Sequence, residues 1–416
     1  MHAFAASLYP DCRSITGDGV RRALAAIGEH IALETFEVPT GTQVFDWTVP
    51  KEWNIRDAYI ADSRGNRLVD YRACNLHVLN YSTPIHQVVS TQELKQHLFT
   101  LPDRPDWVPY RTSYYQENWG FCLSHNQMLG LTDDSYEVSI DSTLSEGNLS
   151  YGEYYLPGTS TEEVLISCHI CHPSLANDNL SGLTVATHLA KMLSEQERHY
   201  SYRFLFIPGT IGAITWLARN QEQAGKVRHG LVLTCVGDDG GFHYKKSRRG
   251  DADVDRAAAV VLKHCKENAE VLEFTPFGYD ERQYCSPGFN LAVGCLMRSV
   301  WGTFPEYHSS ADNLSFIRPE RLAGSLEVVA EICDVLDNNR RYRNLAPFGE
   351  PQMGRRGLYG SSPTAAQDLA ARLWVLNLSD GNHSLLDIAE RSGVPFLPIM
   401  DAAKTLREKG LLADVQ

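Results

Sequence analysis

The 416-residue chain reads as an α/β protein: a mainly parallel sheet with helices on both faces, an inserted small β domain and a C-terminal winged helix. Three observations predict this. Between residues 164 and 264, apolar runs of strand length alternate with segments of helical period, the pattern of strands buried on both faces and joined by covering helices. From about 35 to 82 that rhythm gives way to short β-rich pieces punctuated by Gly, Pro and Asn. After a stretch at 346–363 rich in Gly, Pro, Arg and Ser, three short helical patterns close the chain.

Taken in order, residues 19–27 have helical periodicity, with Thr16 and Asp18 as candidate caps. The β-rich pieces 33–38, 58–61 and 76–81 follow, with Trp47 and Trp53 available for a small core. Residues 136–140 and 152–155 read as strands. Strand 164–167 then precedes helix 183–193, strand 202–207 precedes helix 213–220, and strand 230–236 leads through a polar loop to helix 254–264. The last patterns span 365–376, 384–391 and 398–409, with Ser384 as a cap and Gly393 and Gly410 as stops. No internal repeat is visible. The length suits two or three domains, expected as 1–40 with 131–345, an insertion at 41–130, and 364–416.

A hydrophobic content of 43% fits a soluble globular protein, and a net charge of −13 argues against a nucleic-acid or anionic-membrane partner. From Thr364 onward, seven acidic side chains face five basic ones. A phosphate-binding surface needs clustered Lys and Arg, so the winged helix is expected to pack or to contact protein, not DNA. The N-terminus lacks a basic leader, and no window approaches the roughly 20 apolar residues of a membrane span. Ten cysteines are scattered, with only Cys168 and Cys171 close together; that pattern favours reduced thiols and a cytoplasmic location.

The chemistry is concentrated at 164–182. An apolar run ends in Cys168-His169-Ile-Cys171-His172, and Asp178 follows just before helix 183–193. Strand ends and helix starts are where open α/β sheets bind substrates. A lone His at a strand end is more often a hydrogen-bonded core residue; followed by Asp178-Asn-Leu-Ser-Gly182 it reads as a metal ligand. His172 is its rival, or a partner from outside the ligand set. Cys168 and Cys171 lack the second pair a four-cysteine zinc site requires. Asp238 follows another expected strand, with an acidic turn before Gly240-Gly241 as the plainer reading and Asp239 as the alternate. The polar run Asp280-Glu281-Arg282-Gln283-Tyr284 stands beside the apolar stretch 289–293, where a solvated charge cluster is the plainer reading.

A strand ending in His, then Asp-Asn-x-Ser-Gly opening a helix, resembles the M28 family of zinc aminopeptidases. More closely, the chain resembles the bacterial aminopeptidase-like DUF4910 proteins, which carry an inserted DUF2172 domain and a C-terminal winged helix. The resemblance runs through Arg13-Ser-Ile-Thr-Gly17, Val44-Phe-Asp-Trp-Thr-Val-Pro-Lys-Glu-Trp-Asn54, Asp280-Glu-Arg-Gln-Tyr284 and Tyr307-His-Ser-Ser-Ala-Asp-Asn313. It implies a zinc aminopeptidase-like fold with His169, Asp178, Asp238 and His308 as metal ligands, one zinc expected and a second allowed. The chain departs from the M28 pattern twice. Cys171 replaces an aspartate that orients the first His, and a thiol is a weak acceptor. Gly209 and Thr210 replace paired glutamates, one a general base and one a metal ligand. Glu281 or Asp280 would then handle the proton, Arg282 would hold a substrate carboxylate and Tyr284 would donate to an oxyanion. The expected activity is hydrolysis of an amide bond in a small peptide or an acylated or aminoacylated metabolite. The competing reading is a degenerate hydrolase fold that binds a metabolite or protein. The oligomeric state stays open, a homo-oligomer included.

Overall fold

The computed structural model describes residues 1–359 and 365–415. Its centre is an eight-stranded sheet built from β1 (Glu34–Pro39), β2 (Asn148–Leu156), β3 (Glu163–His169), β4 (Ser201–Ile207), β5 (Val227–Leu233), β6 (Phe242–Lys245), β7 (Ala269–Leu272) and β8 (Val293–Met297). The spatial order is β1-β2-β4-β3-β5-β8-β6-β7. β4, β3, β5 and β8 are mutually parallel, while β1, β2 and β6 each run against a neighbour. Parallel neighbours need crossovers. These are supplied by α2 (Gly182–Ser194) after β3 and α3 (Ile211–Arg219) after β4, and α1 (Asp18–Gly28), α4 (Asp253–His264) and α5 (Pro319–Asn338) complete the layers.

Every residue of β3 and β4 is buried, as the near-continuous apolar runs require of strands covered on both faces. Alternate residues go to opposite cores: Val164, Ile166 and Cys168 pack with α1, α2, α4 and α5, whereas Leu165 meets α3 and the inserted unit. α2 turns Leu183, Ala186, Leu189, Ala190 and Leu193 inward, at the spacing of one helical face. The long helix α5, absent from the expected elements, opens with Pro319 in its first turn, where the missing N–H costs nothing.

The inserted segment forms its own antiparallel sheet, in the order Arg67–Asp70, Glu52–Ala61, Ser135–Ser145, Ile85–Ser90. Ser135–Ser145 runs past residue 130, the expected end of the insertion. Trp53 is in its core at 2% exposure, but Trp47, expected beside it, is 45% exposed. Trp47 lies on a two-residue hairpin strand and meets the Tyr115 ring edge-on instead. The expected strand at 76–81 is corrected to a 3-10 turn, Asn75–His77, followed by isolated bridges. Here Asn80 Oδ1 accepts from Ser14 Oγ and Asn80 Nδ2 donates to Arg13 O, side-chain bonds in place of a ladder. The Arg13–Gly17 motif is the seam between units: Thr16 Oγ1 accepts from Trp53 N at 3.0 Å. Gly17 has φ +94°, and a Cβ there would lie 2.0 Å from Trp53 O, so only glycine fits.

At the C-terminus, strand Arg341–Asn344 pairs with both Asp380–Ser384 and Leu412–Asp414, against helices Ala365–Leu378, Leu385–Ser392 and Phe396–Glu408. Ser384 caps the middle helix in a full capping box with Asp387. Ser384→Ala is expected to lower unfolding stability by about 1 kcal/mol, measurable as a reduced denaturant midpoint. Arg256 of α4 pairs with Asp387 and Glu390 of the same helix. Met353 and Leu358, within the expected linker, are buried, while 360–364, which includes the expected start of the last domain, lie outside the described residues. Among the described residues no helix is long and apolar enough to cross a membrane. All ten cysteines are free.

Candidate metal centre

β3 delivers His169 at its C-terminal end, and the chain then turns through the short helical segment Ala176–Ser181, which presents Asp178. The Asp178 carboxylate, fully buried, is a point of convergence. Its Oδ1 accepts from Tyr279 Oη at 2.8 Å and lies 2.8 Å from His169 Nε2. Its Oδ2 lies 3.0 Å from His308 Nε2 and 3.2 Å from His172 Nδ1. The donor atoms of His169, His172 and Asp178 all fall within 4.8 Å of one another.

The surroundings explain the Asp-Asn-Leu-Ser-Gly sequence. Asp312 accepts from the backbone N–H of Asn177 at 2.6 Å and of Asp178 at 2.9 Å. Asn179 Nδ2 donates to Leu233 O at the end of β5, and Ser181 Oγ donates to Asn177 O while accepting from Val236 N. The carboxylate is thus held by its backbone, leaving both oxygens for the cluster. Tyr279 stacks on His169 at 4.5 Å between ring centroids and Tyr307 stacks on His308 at 4.0 Å, their hydroxyls meeting at 2.9 Å. Tyr110, from the inserted segment, sets its ring edge-on to His172 and His308 at 5.1 Å and donates its N–H to His308 O. His308 itself has φ +54°, a conformation that costs energy outside glycine and clusters at functional sites.

Burial pushes His169 down to about 4 despite Asp178 beside it, and pushes His308 down as well. Burial also drives Asp178 upward, but His172 and His169 outweigh it and hold the carboxylate well below its ordinary value. His172 is raised because Asp178 outweighs its burial. Two neutral imidazoles with lone pairs and an ionised carboxylate are the protonation states that metal ligation requires. The set of imidazoles plus carboxylate is one that zinc accepts.

Of the expected site residues, His169, Asp178 and His308 come together; Asp238 does not join them. Its carboxylate accepts from Asn177 Nδ2 at 2.7 Å, Ser299 Oγ at 2.6 Å and Gly240 N at 2.6 Å. β5 ends at Leu233 rather than at 236, and the irregular stretch that follows carries Asp238 away from the cluster. Asp280 is fully buried, and neither carboxylate oxygen has a hydrogen-bond partner among the described residues. Glu281 faces the other way, into an ion pair with Lys245 at 2.8 Å. In the one-turn helix Glu281–Tyr284, positions three apart share a face, so Tyr284 is buried with Glu281 and its hydroxyl meets Ser167 Oγ at 2.9 Å. Arg282 is half-buried, with its Nε unpartnered among the described residues. Cys171 is buried, and burial pushes its thiol up to about 12, so it stays protonated and cannot orient His169 as a carboxylate would. Sequence reasoning assigned no role to Tyr279, Tyr307 or Tyr110. The first two adjoin expected site residues, which was a usable signal; Tyr110 comes from the insertion and carried none.

The sheet order and a histidine–carboxylate cluster at the C-terminal end of a central parallel strand define an aminopeptidase-like α/β protein. The chain belongs to the family described as domain of unknown function DUF4910, whose model matches residues 2–339; a winged helix-turn-helix model matches 340–414. A Clostridium acetobutylicum relative is 51% identical over 97% of this chain and 94% of its own length; its name provisionally assigns it to polysaccharide biosynthesis with an aminopeptidase-like domain. A crystal structure from the same organism, provisionally described as a peptidase, superposes with TM-score 0.96 at 50% identity, covering 100% of this chain and 96% of that one. The fold extends to an M28 peptidase precursor from Shewanella amazonensis, with TM-score 0.56 at 14% identity over 81% of this chain and 92% of that chain. A Bacillus subtilis zinc aminopeptidase gives 0.54 at 12% identity over 79% and 94%.

Proposed function

We propose that the protein is a zinc-dependent amide-bond hydrolase acting on a small peptide or an acylated or aminoacylated metabolite. The observation that carries this reading is the convergence of His169, His172 and His308 on the buried Asp178 carboxylate. His169, Asp178 and His308 would hold the ion, and zinc there would polarise a scissile carbonyl and acidify water. Asp238 is assigned a supporting part, since it holds Asn177 next to Asp178. Of the two carboxyls proposed for the proton, Asp280 is unengaged, whereas Glu281 is tied to Lys245. Arg282 remains the candidate for a substrate carboxylate. Tyr284 remains the candidate donor to an oxyanion, its fully buried hydroxyl 2.9 Å from Ser167 Oγ. The winged helix is read as a packing unit, because Arg256 pins its middle helix to α4, and we place the protein in the cytoplasm without a nucleic-acid partner.

The test is metal analysis of purified protein followed by hydrolysis of aminoacyl anilides with and without chelator. Zinc near one equivalent per chain is expected, with activity lost on chelation and restored by added zinc. Protein that takes up no zinc and gains no thermal stability from it sinks the reading. The second reading, a degenerate fold that binds a metabolite or protein without turnover, is favoured by Gly209 and Thr210; it predicts bound zinc and no hydrolysis of any amide tested.

A further inference from the structure

Gly209 and Thr210 lie between β4 and α3, where the M28 pattern places one glutamate that handles the proton and one that ligates metal. The space beside Gly209 is tight. A Cβ built on it would stand 3.0 Å from His169 Cβ and 3.3 Å from Asp280 Oδ2. The Asp280 carboxyl therefore reaches, from the loop before helix Glu281–Tyr284, the volume that a side chain at 209 would enter. Both its oxygens are buried without a hydrogen-bond partner among the described residues, an unusual state, since buried polar atoms are nearly always paired. A stability cost of that kind is retained where a ligand or water completes the group. Burial, then the neighbouring Glu281, pushes this carboxyl up to about 8, the range in which a group can both take and return a proton near neutrality.

The ligand lost at Thr210 has a counterpart as well. His172 has no ligand role in the M28 pattern; its Nδ1 donates to Asp178 O at 3.0 Å and lies 3.2 Å from Asp178 Oδ2, which leaves Nε2 as the nitrogen with a lone pair for an ion. Its ring stands edge-on to His169 at 4.8 Å and to His308 at 5.1 Å. With His169 and Asp178 it forms a compact set of three donors.

We propose that the two tasks of the absent glutamates are carried elsewhere in this chain: Asp280 handles the proton, His172 supplies a zinc ligand, and a side chain at 209 would crowd both His169 Cβ and the Asp280 carboxyl. This rests on the hydrolase reading. In the reaction a water oxygen bonds to the carbonyl carbon and the C–N bond breaks with its electron pair on nitrogen. Asp280 carries one water proton to that nitrogen, so an amide and water become a carboxylic acid and an amine.

Three variants test it on the full chain. Asp280→Asn is expected to keep wild-type zinc affinity in chelator competition while kcat for an aminoacyl anilide falls by about 10²–10⁴-fold. His172→Gln, or His172→Asn if the first does not fold, is expected to weaken zinc binding by about 100-fold or more, beyond the usual effect of losing an outer partner. Gly209→Glu is expected to lower the unfolding temperature in the wild-type background, and to do so less when combined with Asp280→Gly, which removes the carboxyl contact but not that with His169 Cβ, a readout independent of turnover. Unchanged kcat in Asp280→Asn, or zinc loss there as deep as in the His172 variant, overturns the proton assignment. Unchanged zinc affinity in the His172 variant overturns the ligand assignment. Equal destabilisation by Gly209→Glu in both backgrounds overturns the shared-space argument. A wild-type protein that binds no zinc instead sinks the hydrolase reading, and the exchange with it.

Discussion

Asp178→Asn is expected to abolish the stabilisation that zinc confers on the protein. A ligand at about 100 times its Kd raises unfolding stability by about 2.7 kcal/mol, so zinc titration of the wild type should lift the unfolding temperature. On the proposed zinc site that gain would originate at Asp178, whose two oxygens face His169, Tyr279, His308 and His172 together. Asparagine keeps the shape but offers one acceptor oxygen and no charge, and its NH2 group would confront an imidazole nitrogen. Affinity should fall by more than the about 10–100-fold typical of an outer partner. Asp238→Asn is the control. Its carboxylate reaches the cluster only through Asn177, so its loss should stay within that outer range. A zinc-dependent rise in the Asp178 variant equal to wild type would place the ion elsewhere, and a larger loss in the Asp238 variant would restore Asp238 to the ligand set.

Residues 164–193 were the most legible part of the chain, because burial on both faces leaves a near-continuous apolar run and the covering helix keeps a strict apolar face. His169 and Asp178 followed from that, since a strand end and a helix start must meet at the sheet's edge. Position beyond a regular element was far less legible. A reading that extends β5 to 236 puts Asp238 at the strand end, but the strand stops at Leu233 and the extra residues redirect the side chain. Asp280 and Glu281 could not be told apart either. Adjacent residues entering a helical turn point in different directions, and only the fold reveals that Lys245 waits for one and Gly209 makes room for the other. His172 could be noticed as a rival to His169; that both would face one carboxylate depends on how residues 170–178 turn, which no periodicity encodes. Tyr110 arrives from a separate sheet, a contact of long sequence range with no local signature.

Lys245→Met is expected to destabilise the protein by about 3–5 kcal/mol, the cost of leaving a buried charge without its partner. Lys245 is 2% exposed and Glu281 fully buried. The ammonium donates to Glu281 Oε1 at 2.8 Å and to Phe277 O at 2.7 Å, between the rings of Phe274 and Trp301. Glu281 Oε2 already lacks a partner among the described residues, so none of them takes over when the lysine is removed. Lys245→Met with Glu281→Leu removes both charges, and apolar replacements of buried pairs are commonly neutral or stabilising; the urea midpoint should recover most of the loss. Recovery of stability should still leave a mark on the chemistry. Burial and then Glu281 raise the Asp280 carboxyl to about 8, and deleting the Glu281 charge removes the second cause, so its folded value falls. If Asp280 must be ionised to accept a proton, the limb of the pH–rate profile along which activity rises with pH should move to lower pH in the double variant. An unmoved limb in a stably folded, zinc-loaded double variant would separate Asp280 from the rate-determining proton transfer.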